Sequence, residues 1–145
     1  MSAVNSDQTE SATKVYDTIP YLLAASVQIW QYQTVGIDGN GYANPISNTS
    51  GLKFVGYNLN PGIFANNTSG TAGAVQTNVR PIGNAVEDRF FVFNASSATQ
   101  SWVNSLVYFT DSNTVSTTVG NGVAAGRVTQ LLSASVVVVD ASRQS

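Results

Sequence analysis

Residues 26–35 of the chain read SVQIWQYQTV and alternate strictly between two sets of side chains. Val27, Ile29 and Val35 fall in one set, whereas Trp30 and Tyr32 fall in the other. A period of two places successive side chains on opposite faces of an extended chain. Because β-branched and aromatic residues dominate the stretch, the pattern predicts one continuous β-strand.

Turn signals divide the rest of the chain into further short strands. Residues 38–41 read DGNG, and both Asp-Gly and Asn-Gly favour the positive φ angles of a tight hairpin turn. Strands are predicted at residues 42–46, 52–59, 74–79, 89–93, 106–110, 114–119, 123–132 and 135–139, with a long loop at 60–73 and one helical turn at 98–104. Such a series is typical of a mainly β, single-domain β-barrel or β-sandwich. No internal repeat of fixed period and no second domain are visible.

The N-terminal residues differ from the rest of the chain. Residues 1–20 are polar, hold few large apolar side chains and end in Ile19-Pro20. Proline restricts the residue before it to extended conformations. We therefore predict a flexible N-terminal arm over residues 1–20 and a β domain over residues 21–145. The first nine residues lack the basic and apolar regions of a signal peptide, which predicts synthesis in a cytoplasm.

Charge is scarce in this protein. Only 10% of the residues are charged and the net charge is −2, so serine, threonine, asparagine and glutamine supply most of the polarity. Average soluble domains carry about 25% charged residues. A surface of hydroxyls and amides is easily covered by another protein, and interface cores are depleted in charge. The absence of a basic patch predicts no binding to nucleic acid. No apolar run reaches the roughly 18 residues that a membrane span needs.

The residues that usually carry chemistry are missing or scattered. The chain has no cysteine and no histidine, which removes thiol chemistry and the commonest metal ligand. Glu87 and Asp88 are adjacent and are predicted to lie in a solvated turn, because neighbours on a strand point to opposite faces. Asp38-Gly39-Asn40 resembles the start of a calcium loop, but the other ligand positions are absent. We predict a protein without catalytic activity, metal, cofactor or small-molecule substrate.

Aromatic residues offer one further signal. Tyrosine and tryptophan are enriched at binding surfaces. They could form a surface that stacks on sugars or binds a protein partner, although most are expected to pack in the core. The candidates are Tyr16, Tyr21, Trp30, Tyr32, Tyr42, Tyr57 and Trp102.

The order of segments resembles that of the capsid decoration, or cement, proteins of tailed bacteriophages. Residues 35–45, VGIDGNGYANP, are similar to their early hairpin, and residues 48–56, NTSGLKFVG, to the turn and strand that follow. A loop of small residues, a strand and an aromatic-rich strand then match residues 66–73, 74–80 and 89–94. Residues 106–115, 125–128 and 136–139 match the closing pattern. The resemblance covers roughly residues 25–140; the N-terminal arm and a turn at residues 83–88 depart from it.

The resemblance implies a structural role on the outer surface of a phage head. Such proteins often form homotrimers that clamp neighbouring subunits of the major capsid protein. We expect the arm to be disordered in the free protein and to lie across a neighbouring subunit on the capsid. Its apolar anchors are Val15, Tyr16, Ile19, Pro20 and Tyr21. The alternatives are another virion part, such as a tail or fibre-base protein, or a carbohydrate-binding β module.

Overall fold

The computed structural model describes residues 18–59 and 65–145 and is mainly β. Twelve strands, one short helix and one 3₁₀ turn occur in the described part of the chain. The strands are β1 (Ile19–Leu22), β2 (Gln28–Ile29), β3 (Thr34–Ile37), β4 (Ala43–Pro45), β5 (Lys53–Asn58), β6 (Ala65–Asn66), β7 (Gln76–Pro81), β8 (Phe90–Ala95), β9 (Leu106–Phe109), β10 (Thr114–Ser116), β11 (Ala124–Ser133) and β12 (Val136–Asp140). Helix α1 spans Val86–Arg89, and the 3₁₀ turn spans Gln100–Trp102.

The strands form two units that follow one another along the chain. In the first unit the strand order is β1-β7-β5-β3-β4, and a parallel bridge between Leu23 and Ala43 joins the two ends of this sheet. In the second unit the order is β8-β12-β11-β9-β10, and β10 pairs in parallel with β8 to close a barrel. Strands β2 and β6 pair separately beside the first unit. The predicted mainly β fold with a barrel is confirmed.

The second unit repeats most of the strand pairs of the first, and its β11–β12 hairpin adds pairs that the first unit lacks. The pairs Ile19–Val79 to Leu22–Gln76 of the first unit correspond to Phe91–Val139 to Asn94–Val136 of the second. The bulge beside Gly56 in β5 corresponds to the bulge beside Gly126 in β11. The closing bridge between Leu23 and Ala43 corresponds to the pair Ala95–Val115. The fold is therefore a structural duplication. It has no fixed sequence period, because the loop that carries β6 lengthens the first unit.

The aromatic ring of Phe54 ties the two units together. Phe54 lies on β5 of the first unit, but it is buried among the core residues of the second. Its ring centroid lies 5.3 Å from that of Phe91, 6.2 Å from Phe93 and 5.0 Å from Phe109. Burying a side chain of this size contributes roughly 1.5–3 kcal/mol. The first unit keeps a separate, smaller core around Leu23, Ile29, Val35, Ala43, Ala65 and Val79.

The prediction of one continuous strand over residues 26–35 is wrong. Strand β2 ends at Ile29 and β3 begins at Thr34, with a turn between them in which Tyr32 adopts a φ of 66°. The N–H of Gln33 donates to the carbonyl of Trp30, which closes this turn. The other predicted strands occur within a few residues of their predicted bounds, and the DGNG hairpin joins β3 to β4. Within the predicted 60–73 loop, residues 65 and 66 form β6.

Candidate binding surfaces

The turn between β2 and β3 displays two aromatic side chains to solvent. Trp30 is 54% exposed and Tyr32 is 65% exposed, whereas most large apolar side chains of the fold are buried. The strict alternation of residues 26–35 gives no sign of this turn. The turn nevertheless has a match in the second unit, where the N–H of Ser105 donates to the carbonyl of Trp102 and Asn104 has a φ of 71°. The two tryptophans of the chain thus occupy equivalent positions.

A buried amide holds the Trp30 turn in place. The side-chain nitrogen of Asn58, on β5, donates to the carbonyl of Ile29 at 3.0 Å and to that of Trp30 at 3.1 Å. The hydroxyl of Thr77 donates to the side-chain oxygen of Asn58. The backbone of Asn58 also accepts from Tyr32 N–H and donates to the carbonyl of Gln33. Since Asn58 and Thr77 are both fully buried, this network is shielded from water and fixes the turn firmly.

The displayed side chains border a groove between the two units, with a volume of about 570 Å³. We call it the aromatic groove. Its apolar lining consists of Trp30, Tyr32, Tyr57, Phe90, Phe91, Val92 and Phe93. Its polar side chains are Gln31, Gln33, Thr34, Glu87, Ser112 and Asn113. The hydroxyl of Thr34 donates to the carbonyl of Ser112, which fastens the first unit to the β9–β10 turn at the edge of the groove.

Ring contacts order the inner wall of the aromatic groove. The ring of Tyr57 lies 6.4 Å from Tyr32 and 6.2 Å from Phe91, measured between centroids. Phe91 in turn stacks on Phe93 at 5.8 Å with an interplanar angle of 5°. Separations of 4.5–7 Å are typical of favourable aromatic pairs. The groove wall is therefore a continuous set of packed rings that leads from the exposed Tyr32 to the core of the second unit.

A second surface lies on the outside of the second unit. Val92 on β8 pairs with Val138 on β12, and Val138 pairs with Gln130 on β11. Directly opposed residues on neighbouring strands share a face of the sheet. We call this surface the valine face. Its uncharged members are Phe90, Val92, Asn94, Val136, Val138, Thr129 and Gln130. At one end Phe90 pairs with Asp140, whose carboxylate is buried and bound by Arg89. Val92 is 64% exposed, so the valine face presents apolar groups to solvent.

An ion pair lies at the end of strand β12. The guanidinium of Arg89 binds the carboxylate of Asp140 through two hydrogen bonds, of 3.0 and 2.7 Å. Asp140 also accepts from the N–H and hydroxyl of Ser142. The hydrogen bonds from Arg89 and Ser142 lower the pKa of Asp140 to about 2, against the opposing effect of its burial. The Arg89 guanidinium also lies 5.2 Å from the centroid of the Phe90 ring, beside the valine face.

The carboxylates of the predicted surface turns have structural partners. Asp38 accepts from the N–H groups of Asn40 and Tyr42 and from the amide of Asn44 inside the DGNG hairpin. Burial raises the pKa of Asp38, but these hydrogen bonds outweigh it and the net change is downward. Asp88 binds Arg80, with 2.9 Å between Nε and Oδ1. In residues 18–59 and 65–145 no three acidic side chains come together as a metal site would require.

The residues predicted to bind capsid subunits fall in two places. Val15 and Tyr16 lie outside the described residues. Ile19, Pro20 and Tyr21 lie in strand β1, which pairs with β7, so the described fold already includes the last two residues of the predicted arm. Ile19 is 39% exposed, and Pro20 is also exposed at this edge of the sheet. Tyr21 packs partly against the core of the first unit.

The structure brings only some of the candidate aromatic residues together. Trp30, Tyr32 and Tyr57 meet at the aromatic groove, whereas Tyr21, Tyr42 and Trp102 lie outside it and Tyr16 is outside the described residues. Neither Asn58 nor the valine face was predicted from the sequence. A run of four valines at residues 136–139 carries a strand signal, but it does not show which valines face outward.

Comparison of the chain with models of protein families, with curated proteins and with solved structures finds no match. Within the described part of the chain, no helix has both the length and the apolar character of a membrane span.

Proposed function

We propose that this protein is a structural component of a bacteriophage particle that binds the outer surface of the capsid and stabilises contacts between subunits of the major capsid protein. The observation that carries the proposal is the valine face, an uncharged surface across three adjacent strands. The order of strands and turns, which resembles that of capsid decoration proteins, supports it independently.

The chemistry of the valine face suits contact with another protein. The valines of this surface and the asparagine, threonine and glutamine beside them lose little hydration when they are covered, because none of them carries a charge. The closed barrel beneath supplies rigidity, since Val137 and Val139 of the same strand β12 are fully buried. A rigid, uncharged face reduces the ordering and desolvation costs that accompany association.

The N-terminal residues are also proposed to take part in capsid attachment. Strand β1 anchors the chain at the edge of the first unit, and residues 1–17 precede it. Val15 and Tyr16 are the apolar anchors of this segment and are proposed to contact a neighbouring capsid subunit. Ile19, Pro20 and Tyr21 continue the contact along β1. We further propose that the protein forms a homotrimer, as the resemblance suggests.

Co-sedimentation with undecorated phage capsids tests the proposal. Wild-type protein is expected to sediment with the capsids at a saturating stoichiometry, whereas Val92→Glu with Val138→Glu is expected to stay in the supernatant. Both changes place a charge that the contact would have to bury. The control is Val119→Glu, which adds one such charge at a 54% exposed valine in the loop between β10 and β11; it is compared with Val92→Glu and Val138→Glu made singly as well as together. Wild-type protein that never sediments with capsids would refute the proposal.

A further inference from the structure

The aromatic groove has features that capsid attachment does not need. Trp30 and Tyr32 stand at its edge, largely exposed, on a turn that the buried Asn58 holds in place. Holding the backbone that carries exposed aromatic rings in a fixed position is useful when a ligand must stack on them, because less conformational entropy is then lost on binding. The valine face shares Phe90 and Val92 with the groove, but it does not include this turn and can make a protein contact without it.

The two units of the duplication provide an internal comparison for this turn. The position of Asn58 is taken by Val128 in the second unit, and that of Thr77 by Val137. The second unit forms the equivalent turn, with Trp102 and Asn104, around two apolar residues. The buried amide is therefore not required for the turn to form. Its presence in the first unit coincides with the exposed pair Trp30 and Tyr32, which have only one aromatic counterpart, the partly buried Trp102, in the second.

We propose that the aromatic groove binds a short, neutral oligosaccharide. A sugar ring combines an apolar face of C–H groups with a rim of hydroxyls. The rings of Trp30 and Tyr32 can cover such a face, while the amides of Gln31 and Asn113 offer both donors and acceptors to the hydroxyls. The groove volume of about 570 Å³ falls within the range of roughly 300–1,000 Å³ that small-ligand sites occupy.

The charge of the lining selects against ionic ligands. Glu87 is the one charged side chain among the described residues that line the groove, and no lysine or arginine lines it. An acidic sugar or a phosphate would meet this carboxylate without a cationic partner. A neutral sugar can instead donate a hydroxyl to it, which makes a charge-assisted hydrogen bond.

Tryptophan fluorescence provides a direct test, because the chain has two tryptophans and only Trp30 borders the groove. In the Trp102→Phe variant all indole emission comes from Trp30. Titration of this variant with maltotriose, cellotriose, laminaritriose, mannotriose and chitotriose is expected to give a saturable emission shift with at least one of them. The reciprocal Trp30→Phe variant, in which Trp102 is the only indole, is expected to show no shift with the same sugar.

Isothermal titration calorimetry then measures the affinity independently of tryptophan emission. Tyr32→Ala is expected to weaken binding of that trisaccharide about tenfold, and Trp30→Ala by more. Tyr42→Ala, which removes a tyrosine outside the groove, is expected to leave the affinity unchanged. Since Trp30 and Tyr32 are exposed, circular dichroism should confirm that both variants remain folded.

Two results would overturn the inference. One is that none of the trisaccharides binds; the other is that binding persists unchanged in the Trp30→Ala, Tyr32→Ala double variant. Should this double variant instead lose capsid binding while no sugar binds, the groove is a protein contact and the capsid proposal survives without the sugar site. Conversely, sugar binding by a protein that never sediments with capsids supports the groove and refutes the capsid proposal.

Discussion

Asn58 and Val128 occupy the same position in the two units of the fold, yet only Asn58 bonds the turn in front of it through its side chain. The backbones of both residues pair with the preceding turn in the same way, to Tyr32 and Gln33 in one unit and to Asn104 and Ser105 in the other. The side chain of Asn58 adds two hydrogen bonds to that turn and accepts one from Thr77. The first unit thus contains a polar network at a place where the second is apolar.

The comparison of the two units predicts that Asn58 and Thr77 are energetically coupled, which a double-mutant cycle can measure. Asn58→Val alone leaves the buried Thr77 hydroxyl without its partner and is expected to reduce the free energy of unfolding by about 1–3 kcal/mol. Adding Thr77→Val recreates the valine pair of the second unit, so the double variant should be more stable than Asn58→Val. Urea unfolding of the wild type, both single variants and the double variant measures the coupling. Strictly additive single effects would contradict the network.

Asn58→Val should also increase the mobility of the Trp30 side chain. In a Trp102→Phe background, fluorescence anisotropy decay reports the motion of the Trp30 side chain alone. Asn58→Val is expected to add a fast component to this decay, because the carbonyls of Ile29 and Trp30 lose their shared donor. The control is Thr129→Val, which removes a hydroxyl that bonds the carbonyl of Val138 in the second unit and not the Trp30 turn. An unchanged decay in Asn58→Val would show that the turn is rigid without the amide.

Much of the strand pattern could be predicted from the sequence, because alternation and turn dipeptides are local signals. Lys53–Asn58, Ala124–Ser133 and the DGNG hairpin are examples. The break after Ile29 could not be predicted, since the residue that bonds the turn through its backbone and side chain, Asn58, is far along the chain. The duplication was not predicted either, because only a few of its equivalent residues, such as Trp30 and Trp102 or Gly56 and Gly126, share a residue type. The sequence indicated that individual aromatic residues could bind a ligand, but it did not show which of them come together in the aromatic groove.

Two glycines mark the bulges that the duplicated units share. Gly56 has a φ of 152° and Gly126 a φ of 145°, and a Cβ at either position would clash with the carbonyl of Arg80 or Asp140, respectively. We therefore expect Gly56→Ala and Gly126→Ala each to reduce the free energy of unfolding by at least ~2 kcal/mol. Gly70→Ala is the matched control, because a Cβ there has no neighbour within 4 Å. Thermal unfolding of the three variants tests the contrast.

The bond between Arg89 and Asp140 should make stability depend on pH in the acid range. The pKa of Asp140 is about 2 in the folded protein, below its ordinary value of 3.8. A lowered folded-state pKa contributes stability that is fully present above the unfolded value and is lost as the pH falls towards the folded value. The stabilisation from Asp140 should accordingly be constant above about pH 5 and decline between about pH 4 and pH 2.

Asp140→Asn isolates this contribution. The variant is expected to lose about 1–3 kcal/mol at pH 6, because the buried carboxylate gives up its charge-assisted bonds to Arg89. The difference between wild type and variant should shrink as the pH is lowered to 3 and below. Asp88→Asn should cost less at pH 6, because the Asp88 side chain is 15% exposed whereas that of Asp140 is 2% exposed. Denaturant unfolding at several pH values measures both; a difference that grows on acidification would contradict the assignment.

Removal of residues 2–17 separates the N-terminal segment from the fold. The truncated protein keeps strand β1, whose pairs with β7 run from Ile19–Val79 to Leu22–Gln76, so it is expected to unfold at nearly the wild-type temperature. If Val15 and Tyr16 are anchors on the capsid, the truncated protein should bind undecorated capsids at least tenfold more weakly. A more specific variant is Val15→Ser with Tyr16→Ser in the full-length chain, which removes the two apolar side chains and keeps the length of the segment. The control is Ser11→Ala with Thr13→Ala, which also changes two residues of this segment but keeps Val15 and Tyr16. Unchanged affinity of both the truncated and the serine variants would place attachment on the β units alone, and the valine face would then account for it.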